Sequence, residues 1–126
     1  MYSNGYNVYK NNSINYASKE QLLLMLVDGA VKFTKIARQA ILDKDVKKAH
    51  ENLKKTQDIF VELIVTLDVS KAEWMTSLLE VYKYIKDKLF EANIKKDINM
   101  VDEILPLIES VNNLWHDAYK VSKGSK

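Results

Sequence analysis

The segment from residue 18 to residue 41 constrains the fold more than any other part of the sequence. It opens with Ser18, and Gln21 follows at the spacing of a capping box, in which each side chain hydrogen-bonds the other residue's backbone N–H. Apolar residues then occupy positions 22 to 27 without a break and go almost all the way round a helix. Such a helix is either buried or offers a second apolar face to a partner. We expect it to be the central helix of the fold, buried on most sides.

The composition favours helices over strands. The chain has 126 residues, 47% of them apolar, which suits one domain with a single core. Three glycines and one proline are too few for a β-sandwich, and the lack of cysteine excludes disulfides and thiolate metal sites. No apolar run is long enough to span a membrane, and the opening residues lack the apolar core of a signal peptide. We therefore expect a cysteine-free helical domain of the cytoplasm, with no membrane insertion.

The first half of the chain predicts two helices. The first covers residues 19 to 42 and ends at the Asp-Lys-Asp turn of residues 43 to 45, which also caps the second helix. The second covers residues 46 to 67, and its apolar residues recur every three or four positions. The core face expected for this helix consists of Val46, Ala49, Leu53, Thr56, Phe60, Leu63 and Leu67.

The second half predicts two more helices. Ser70 with Glu73 has the spacing of another capping box, which predicts the start of the third helix, and Asn93 is its expected end. Either Asp97 or Asn99 caps the fourth helix. The core faces expected for these helices are Trp74, Leu78, Val81, Tyr82, Ile85, Leu89 and Ala92 in the third, and Val101, Ile104, Ile108, Val111, Trp115 and Ala118 in the fourth.

Short connections between long helices make neighbouring helices antiparallel. The sequence therefore predicts an all-α fold, an antiparallel up-down four-helix bundle, formed by residues 18–121. Residues 1–17 have no helical or strand period and are rich in Asn, Ser and Tyr, so we expect an N-terminal arm. Residues 122–126 are expected to form a mobile tail.

Charge and spacing argue against several classes of function. The net charge is only +2, and Arg38 is the only arginine, so nucleic-acid binding is not expected. A di-iron bundle needs two Glu-x-x-His pairs, but neither His50 nor His116 has a glutamate three residues before it. No grouping of catalytic side chains or phosphate-binding loop can be found. We expect no enzyme activity, catalytic residue, metal, cofactor or small-molecule substrate.

A histidine phosphotransfer module is an alternative function for a four-helix bundle. Such a module keeps an exposed helical histidine beside a lysine and a glycine. The segment from His50 to Lys55 resembles this pattern only superficially. Lys54 lies one residue too far from His50, and Lys55 stands where the module has its glycine. We therefore expect His50 to be an ordinary surface histidine, and keep the phosphoryl-acceptor role as the second hypothesis.

The second and third helices carry more apolar residues than one core face needs. Val61 and Val65 lie off the core face of the second helix, and Leu79 and Phe90 lie about 100–120° from that of the third. These four residues predict a second apolar stripe that could accept an incoming amphipathic helix. They could instead belong to a wide core arc, or to a surface through which the bundle associates with itself.

Several motifs resemble those of a known family. The tyrosine-bearing arm, Ala17-Ser18 and the run LLLMLVDG at residues 22 to 29 resemble the opening of the flagellar secretion chaperones of the FliS family. Lys19 replaces the family's proline, and Val27 replaces its tyrosine. Later positions that match the family in order and spacing are Ile59, Glu62, Leu63, Leu67, Asp68, Leu78, Tyr82, Tyr84, Leu89, Ala92, Asn93 and Trp115.

The resemblance implies a cytoplasmic chaperone of the flagellar type III export system. It implies that the chain binds the disordered C-terminal segment of flagellin, prevents its premature polymerisation and passes it to the export apparatus. The flagellin groove expected on this basis is formed by Val61, Val65, Leu79, Tyr84 and Phe90. The arm, through Tyr6, Tyr9 and Ile14, is expected to cover the groove until flagellin displaces it, because tyrosine packs its ring while its hydroxyl stays hydrated.

Overall fold

The computed structural model describes residues 18–124, which form four helices and one 3-10 turn and contain no strand. The predicted arm of residues 1–17, with Tyr6, Tyr9 and Ile14, lies outside these described residues. The helices are α1 (Lys19–Leu42), α2 (Val46–Thr66), α3 (Trp74–Lys95) and α4 (Ile98–Gly124), and the 3-10 turn Val69–Lys71 lies between α2 and α3.

The predicted ends of α1 and the start of α2 are confirmed. The Gln21 amide donates to the Ser18 hydroxyl and the Ser18 amide donates to the Gln21 side chain, both over 3.1 Å. At the other end, Lys44 adopts a left-handed conformation with φ 61°, which turns the chain out of α1. Asp45 then accepts a hydrogen bond from the Lys48 amide over 3.1 Å and caps α2.

The capping box predicted at Ser70 is wrong, because Asp68 takes the hydrogen bonds of that turn. The Asp68 carboxylate accepts from the Ser70 amide over 3.0 Å and from the Ser70 hydroxyl over 2.6 Å, and these bonds lower the pKa of Asp68. A charged acceptor binds these donors more strongly than a neutral side chain does. The segment forms a 3-10 turn, and α3 begins at Trp74 with no side-chain cap at Glu73.

Helix α4 is the longest of the four. Asp97 caps its start by accepting a hydrogen bond from the Asn99 amide over 2.9 Å, so Asp97 and not Asn99 is the cap. The helix continues through Pro106 and reaches Gly124, beyond the bundle end predicted at residue 121.

The helix contacts confirm the predicted antiparallel up-down bundle. Helix α1 packs against α2 and α4, and α3 packs against the same two helices from the opposite side. The diagonal pairs, α1 with α3 and α2 with α4, have no close backbone contact within the described residues. Each helix therefore has two neighbours and an outer face.

Helix α1 is buried on a narrower face than the sequence predicts. Of its opening apolar run, only Leu26 and Val27 are buried, while Met25 is exposed and the leucines at 22 to 24 are half-buried. After this run, the buried face consists of Ala30, Thr34, Ala37 and Ala40.

Small residues let α1 and α2 approach closely. Thr34, fully buried, donates to the Ala30 carbonyl over 2.7 Å and lies 3.2 Å from the hydroxyl of Thr56 on α2. Thr56 in turn hydrogen-bonds the Asn52 carbonyl over 3.2 Å. The two hydroxyls therefore have partners although no side-chain atom of either residue reaches solvent.

Polar side chains on the surface position α4 against α1. Asp28 lies in the segment that resembles the FliS motif, and it accepts a hydrogen bond from Asn112 over 2.7 Å. The His116 Nε2 atom also lies 2.7 Å from the same carboxylate oxygen. Nearer the other end, the Arg38 guanidinium binds Asp102, which lowers the pKa of that carboxyl. Exposed pairs such as these add little stability but fix the register.

The buried core follows most of the predicted faces, with four corrections. Tyr82, Phe60, Leu53, Ile85, Leu89, Ile104 and Ile108 are among its largest fully buried side chains. Val46, Trp74, Val81 and Ala118, predicted as core, are exposed. Val46 and Trp74 are the first residues of their helices, where neighbouring helices cover them only in part, and Val81 and Ala118 lie at the edge of a core face.

Aromatic residues join α2, α3 and α4 in one cluster. The Tyr82 ring meets the Phe60 ring edge-on, with centroids 5.8 Å apart. The Trp115 indole N–H donates to the Tyr82 hydroxyl over 2.7 Å, and the Trp115 and Trp74 rings lie 6.1 Å apart. Burial raises the pKa of Tyr82 to about 12, although the hydrogen bond from Trp115 lowers it in part.

Replacing Tyr82→Phe tests the contribution of this buried hydroxyl. We expect a loss of about 1 kcal/mol in the free energy of unfolding at neutral pH, because the Trp115 N–H loses its acceptor. The pKa of Tyr82 is higher in the folded state, so the stability linked to its neutral form is present below about pH 10 and lost towards pH 12. Urea unfolding of both proteins across this range should therefore show the wild-type advantage shrinking and then reversing, because a rise in pKa from 10.0 to about 12 is worth more than the hydrogen bond. A constant difference would contradict the burial.

Candidate functional site

The outer surface between α2 and α3 carries a row of exposed apolar side chains. The Phe60–Tyr82 ring contact and the 3.2 Å contact between His50 Nδ1 and Asn93 Oδ1 set the antiparallel register of the two helices. In this register, Val61 and Val65 of α2 flank the turn of α3 that carries Leu79, and the Phe90 turn lies near His50. We call this surface the α2/α3 groove, lined by Val61, Val65, Leu79, Phe90 and Ile94.

The α2/α3 groove has two apolar patches with polar residues between them. Val65 is 74% exposed and Phe90 is 55% exposed, while Val61 is at the margin of exposure and Leu79 is half-buried. Leu79 and Phe90 lie eleven positions apart on α3, which corresponds to roughly 16 Å along the helix. Lys83 and Lys86 lie between them. The structure thus brings together four of the five groove residues predicted from the sequence.

Ile94 is a groove residue that the sequence reasoning missed. It is 66% exposed and follows Phe90 by one helical turn, so both side chains lie on the same side of α3. Asn93 was the predicted helix end, and a residue beyond that end has no assigned face. The i, i+4 spacing from Phe90 was the signal that could have found it.

Tyr84 lies on the other side of α3, away from the α2/α3 groove. Its hydroxyl donates to the Glu103 carboxylate of α4 over 2.7 Å, and the Lys88 ammonium lies 5.8 Å from its ring centroid. The hydrogen bond to Glu103 raises the pKa of Tyr84, and the nearby charges of Glu103 and Glu91 act in the same direction. An occupant of the α2/α3 groove would have to cross α3 to reach this ring.

His50 ties the start of α2 to the end of α3. Its Nδ1 atom faces the side-chain oxygen of Asn93, and the Lys96 ammonium donates to the same oxygen over 2.8 Å and to the Asn93 carbonyl. Lys96 has a left-handed backbone with φ 51° at the C-cap of α3. Its ammonium satisfies carbonyl groups that a helix end leaves without partners. These contacts are those of a histidine that joins two helices.

A cavity of about 160 Å³ lies at the end of the bundle where α1 begins. All four helices contribute to it, and apolar side chains form most of its wall, with Asp68 and Lys71 of the 3-10 turn also lining it. Its apolar lining consists of Leu23, Leu63, Leu67, Met75, Tyr82 and Trp115. The volume suits one bulky side chain or a small apolar molecule.

The described residues contain neither a candidate metal-binding cluster nor a helix that could span a membrane. Between residues 18 and 124, no group of histidine and carboxylate side chains could hold a metal ion. In the same part of the chain, no helix has the length and apolar content needed to cross a bilayer. The exposed apolar residues on the flanks of α3 remain the surfaces that the fold itself does not use.

Comparison with known sequences identifies the family. The family described as "Flagellar protein FliS" matches residues 2–122. The chain belongs to the FliS family. It is 37% identical over 115 residues to the "Flagellar secretion chaperone FliS" of Bacillus subtilis (strain 168), covering 91% of this chain and 86% of that protein. It is 34% identical over 101 residues to the protein of the same name from Salmonella typhimurium (strain LT2), covering 79% and 75%.

A solved structure shares the fold. The structure titled "Crystal structure of flagellar chaperone from bacteria" superimposes with a TM-score of 0.72, covering 92% of this chain and 95% of that one at 15% identity. The resemblance inferred from the sequence motifs is thereby confirmed, as is the helical bundle. FliS proteins are chaperones of flagellar secretion and not enzymes, and nothing in these likenesses supports phosphotransfer through His50.

Paired substitutions on α3 distinguish the groove from the core. Phe90→Asp should change the free energy of unfolding by no more than about 0.5 kcal/mol, because the side chain already reaches water. Leu89→Asp, one position away, should unfold the bundle, because Leu89 is fully buried and the new carboxylate would have no partner. Urea unfolding followed by circular dichroism compares them, and equal losses would place Phe90 in the core.

Proposed function

We propose that this FliS protein binds the disordered C-terminal segment of flagellin in the cytoplasm. Binding keeps the segment from polymerising and presents it to the flagellar type III export apparatus. Val61, Val65, Leu79, Phe90 and Ile94 of the α2/α3 groove are the contact residues. The observation that carries the proposal is the pair of apolar patches on this surface in a protein that belongs to a family of flagellar secretion chaperones.

The cost of ordering a flexible segment explains why these patches would be needed. A disordered chain that becomes ordered on binding loses conformational entropy, which apolar contacts must offset. The groove supplies those contacts on two helices that the bundle already holds in place. A flexible surface would lose entropy of its own and bind more weakly.

The spacing of the patches favours an amphipathic helix as the bound form. Anchors roughly 16 Å apart correspond to apolar residues about three helical turns apart in the bound segment. Lys83 and Lys86, between the patches on α3, pair with Glu80 and Asp87, so this stretch would face polar residues of the segment. Tyr84 would not contact a segment confined to this groove, so its predicted role in flagellin binding is not part of the proposal.

Calorimetric titration with a flagellin C-terminal peptide tests the proposal. Wild-type protein should bind the peptide and co-elute with it from a sizing column. Phe90→Asp and Val65→Asp should each weaken binding by about tenfold or more, because each puts a charge beneath an apolar anchor. Leu42→Asp is the matched control, since Leu42 is also exposed but lies on α1, which does not contact α3. Equal weakening by all three variants, or no binding by the wild type, would contradict the proposal.

We also propose that residues 1–17 cover part of the groove before flagellin binds. The arm joins the bundle at Ser18, at the start of α1. In the antiparallel bundle, this end also holds the Val65 and Leu79 patch and the 160 Å³ cavity. Tyr6, Tyr9 and Ile14 are the side chains proposed to cover the apolar surface, which would otherwise promote aggregation.

Removing residues 1–16 tests the covering role of the arm. The truncated protein should bind the flagellin peptide more tightly, because no competing segment has to leave the groove. Binding of a dye that fluoresces on apolar surfaces should also increase. A variant of the full chain with Tyr6, Tyr9 and Ile14 replaced by serine should behave like the truncated protein. If neither peptide affinity nor dye binding changes, the arm does not cover the groove.

A further inference from the structure

A second apolar surface follows the line where α3 meets α4. It faces away from the α2/α3 groove, because it lies on the side of α3 that contacts α4. We call this surface the α3/α4 seam. It is formed by Trp74, Val81, Tyr84, Leu107, Leu114 and Val121. Trp74 is 48% exposed, Tyr84 43% and Leu114 36%, so this surface is open to a partner within the described residues.

The residues of the seam form two facing rows. Trp74 and Val81 lie seven positions apart on α3, and Leu107, Leu114 and Val121 lie seven positions apart on α4, so each row keeps to one side of its helix. The hydrogen bond between Tyr84 and Glu103 sets the antiparallel register. It places Val81 level with Leu107 and Trp74 level with Leu114. The rows run side by side over about two turns or more.

The packing of α3 on α4 leaves room between these rows. This is the loosest of the four contacts between neighbouring helices. Large rings hold the two helices together, through the Trp74–Trp115 pair and the Tyr82–Trp115 hydrogen bond. Ser77 lies between Trp74 and Val81 on α3, and Ser110 lies between Leu107 and Leu114 on α4. Both serines are exposed and small. These small side chains do not cover the apolar residues on either side of them.

The margins of the seam are acidic. Glu91 and Glu103 lie close enough to Tyr84 for their charges to raise its pKa. At about 100° per residue, Glu73 and Glu80 fall on the outer margin of α3 and Asp117 on that of α4. Lys88 is a cation inside the seam, and its ammonium lies over the Tyr84 ring. Lys54, Lys83 and Lys86 border the α2/α3 groove, and each of them pairs with a carboxylate, that of Asp58, Glu80 and Asp87 respectively.

We propose that the α3/α4 seam binds an amphipathic helix with lysine- or arginine-rich margins, supplied by a polypeptide other than the segment in the α2/α3 groove. The apolar face of this helix packs between the two rows, and its cations face the carboxylates on the margins. A stretch of about 10–14 residues spans the distance from Trp74 to Tyr84, or from Leu107 to Val121. The chaperone can then hold two segments at once, one on each side of α3.

Tryptophan fluorescence reports occupancy of the seam without a label. The chain has two tryptophans: Trp74 belongs to the seam, and the ring of the half-buried Trp115 lies 6.1 Å from it. The probes are two synthetic helical peptides with the same leucines at positions i, i+3, i+4 and i+7, one with lysine margins and one with glutamate margins. The lysine peptide should shift the emission to the blue and bind about tenfold more tightly at low salt, with the preference falling as salt screens the charges.

Substitutions assign the binding to the seam and its margins. Leu114→Asp should abolish the blue shift, while Phe90→Asp in the α2/α3 groove should leave it unchanged. The triple variant Glu73→Lys, Glu80→Lys, Asp117→Lys changes only exposed side chains and should reverse the preference towards the glutamate peptide. This variant keeps the proposal testable if Leu114→Asp fails to fold.

Other outcomes would overturn the proposal. Equal affinity for the two peptides, or a preference that survives the triple substitution, would show that the margins do not select the partner. An emission that shifts with protein concentration alone would assign the seam to a second copy of this chain. Competition between the lysine peptide and the flagellin peptide, with the blue shift sensitive to Phe90→Asp, would show that both use the α2/α3 groove. Failure of flagellin binding alone would leave the seam result intact.

Discussion

The close approach of α1 and α2 is the contact on which the rest of the bundle depends. Alanines form much of the buried face of α1, and Thr34 and Thr56 meet at the centre with no exposed atoms. Each hydroxyl also hydrogen-bonds a carbonyl one turn earlier in its own helix, so a close contact leaves no buried donor without an acceptor. Small side chains set a short distance between helices, and large ones a long distance. Aromatic side chains therefore separate α3 from α4 on the opposite side of the bundle.

This unequal packing leaves apolar side chains of α3 exposed on the side that faces α4. A helix between close neighbours buries a wide arc, whereas one joined to a neighbour by long rings leaves its margins exposed. On α3, Leu79 and Phe90 fall on the α2 side, and Val81 and Tyr84 fall on the α4 side. The two surfaces have similar apolar content but different margins, since lysine–carboxylate pairs border the α2/α3 groove and Glu73 and Asp117 lie at the margins of the seam. Charge therefore offers a way to direct different segments to the two sides of one helix.

The sequence predicted the helices well because their ends are coded locally. The Ser18 capping box and the Asp45 cap involve residues three positions apart, and both formed as expected. The start of α3 was missed because Ser70 has two possible roles, and a neighbouring carboxylate decided between them. Periodicity gave the angle of each side chain around its helix but not the width of the buried arc. That width depends on the distance between helices, so Trp74 was predicted to be buried and is exposed.

Sequence patterns also do not predict the candidate site in full. They show that a side chain lies at the edge of a helix's core face, but not which neighbouring helix that edge faces. Tyr84 entered the predicted groove through a family resemblance, yet it faces α4. Exposed residues nevertheless sit next to buried ones along the chain: Phe90 follows Leu89, and Val81 precedes Tyr82. Stability and partner binding can therefore change independently, since one residue packs into the core while the next faces solvent. This separation allows the bundle to keep apolar side chains exposed, because the most exposed of them contribute little to its folding.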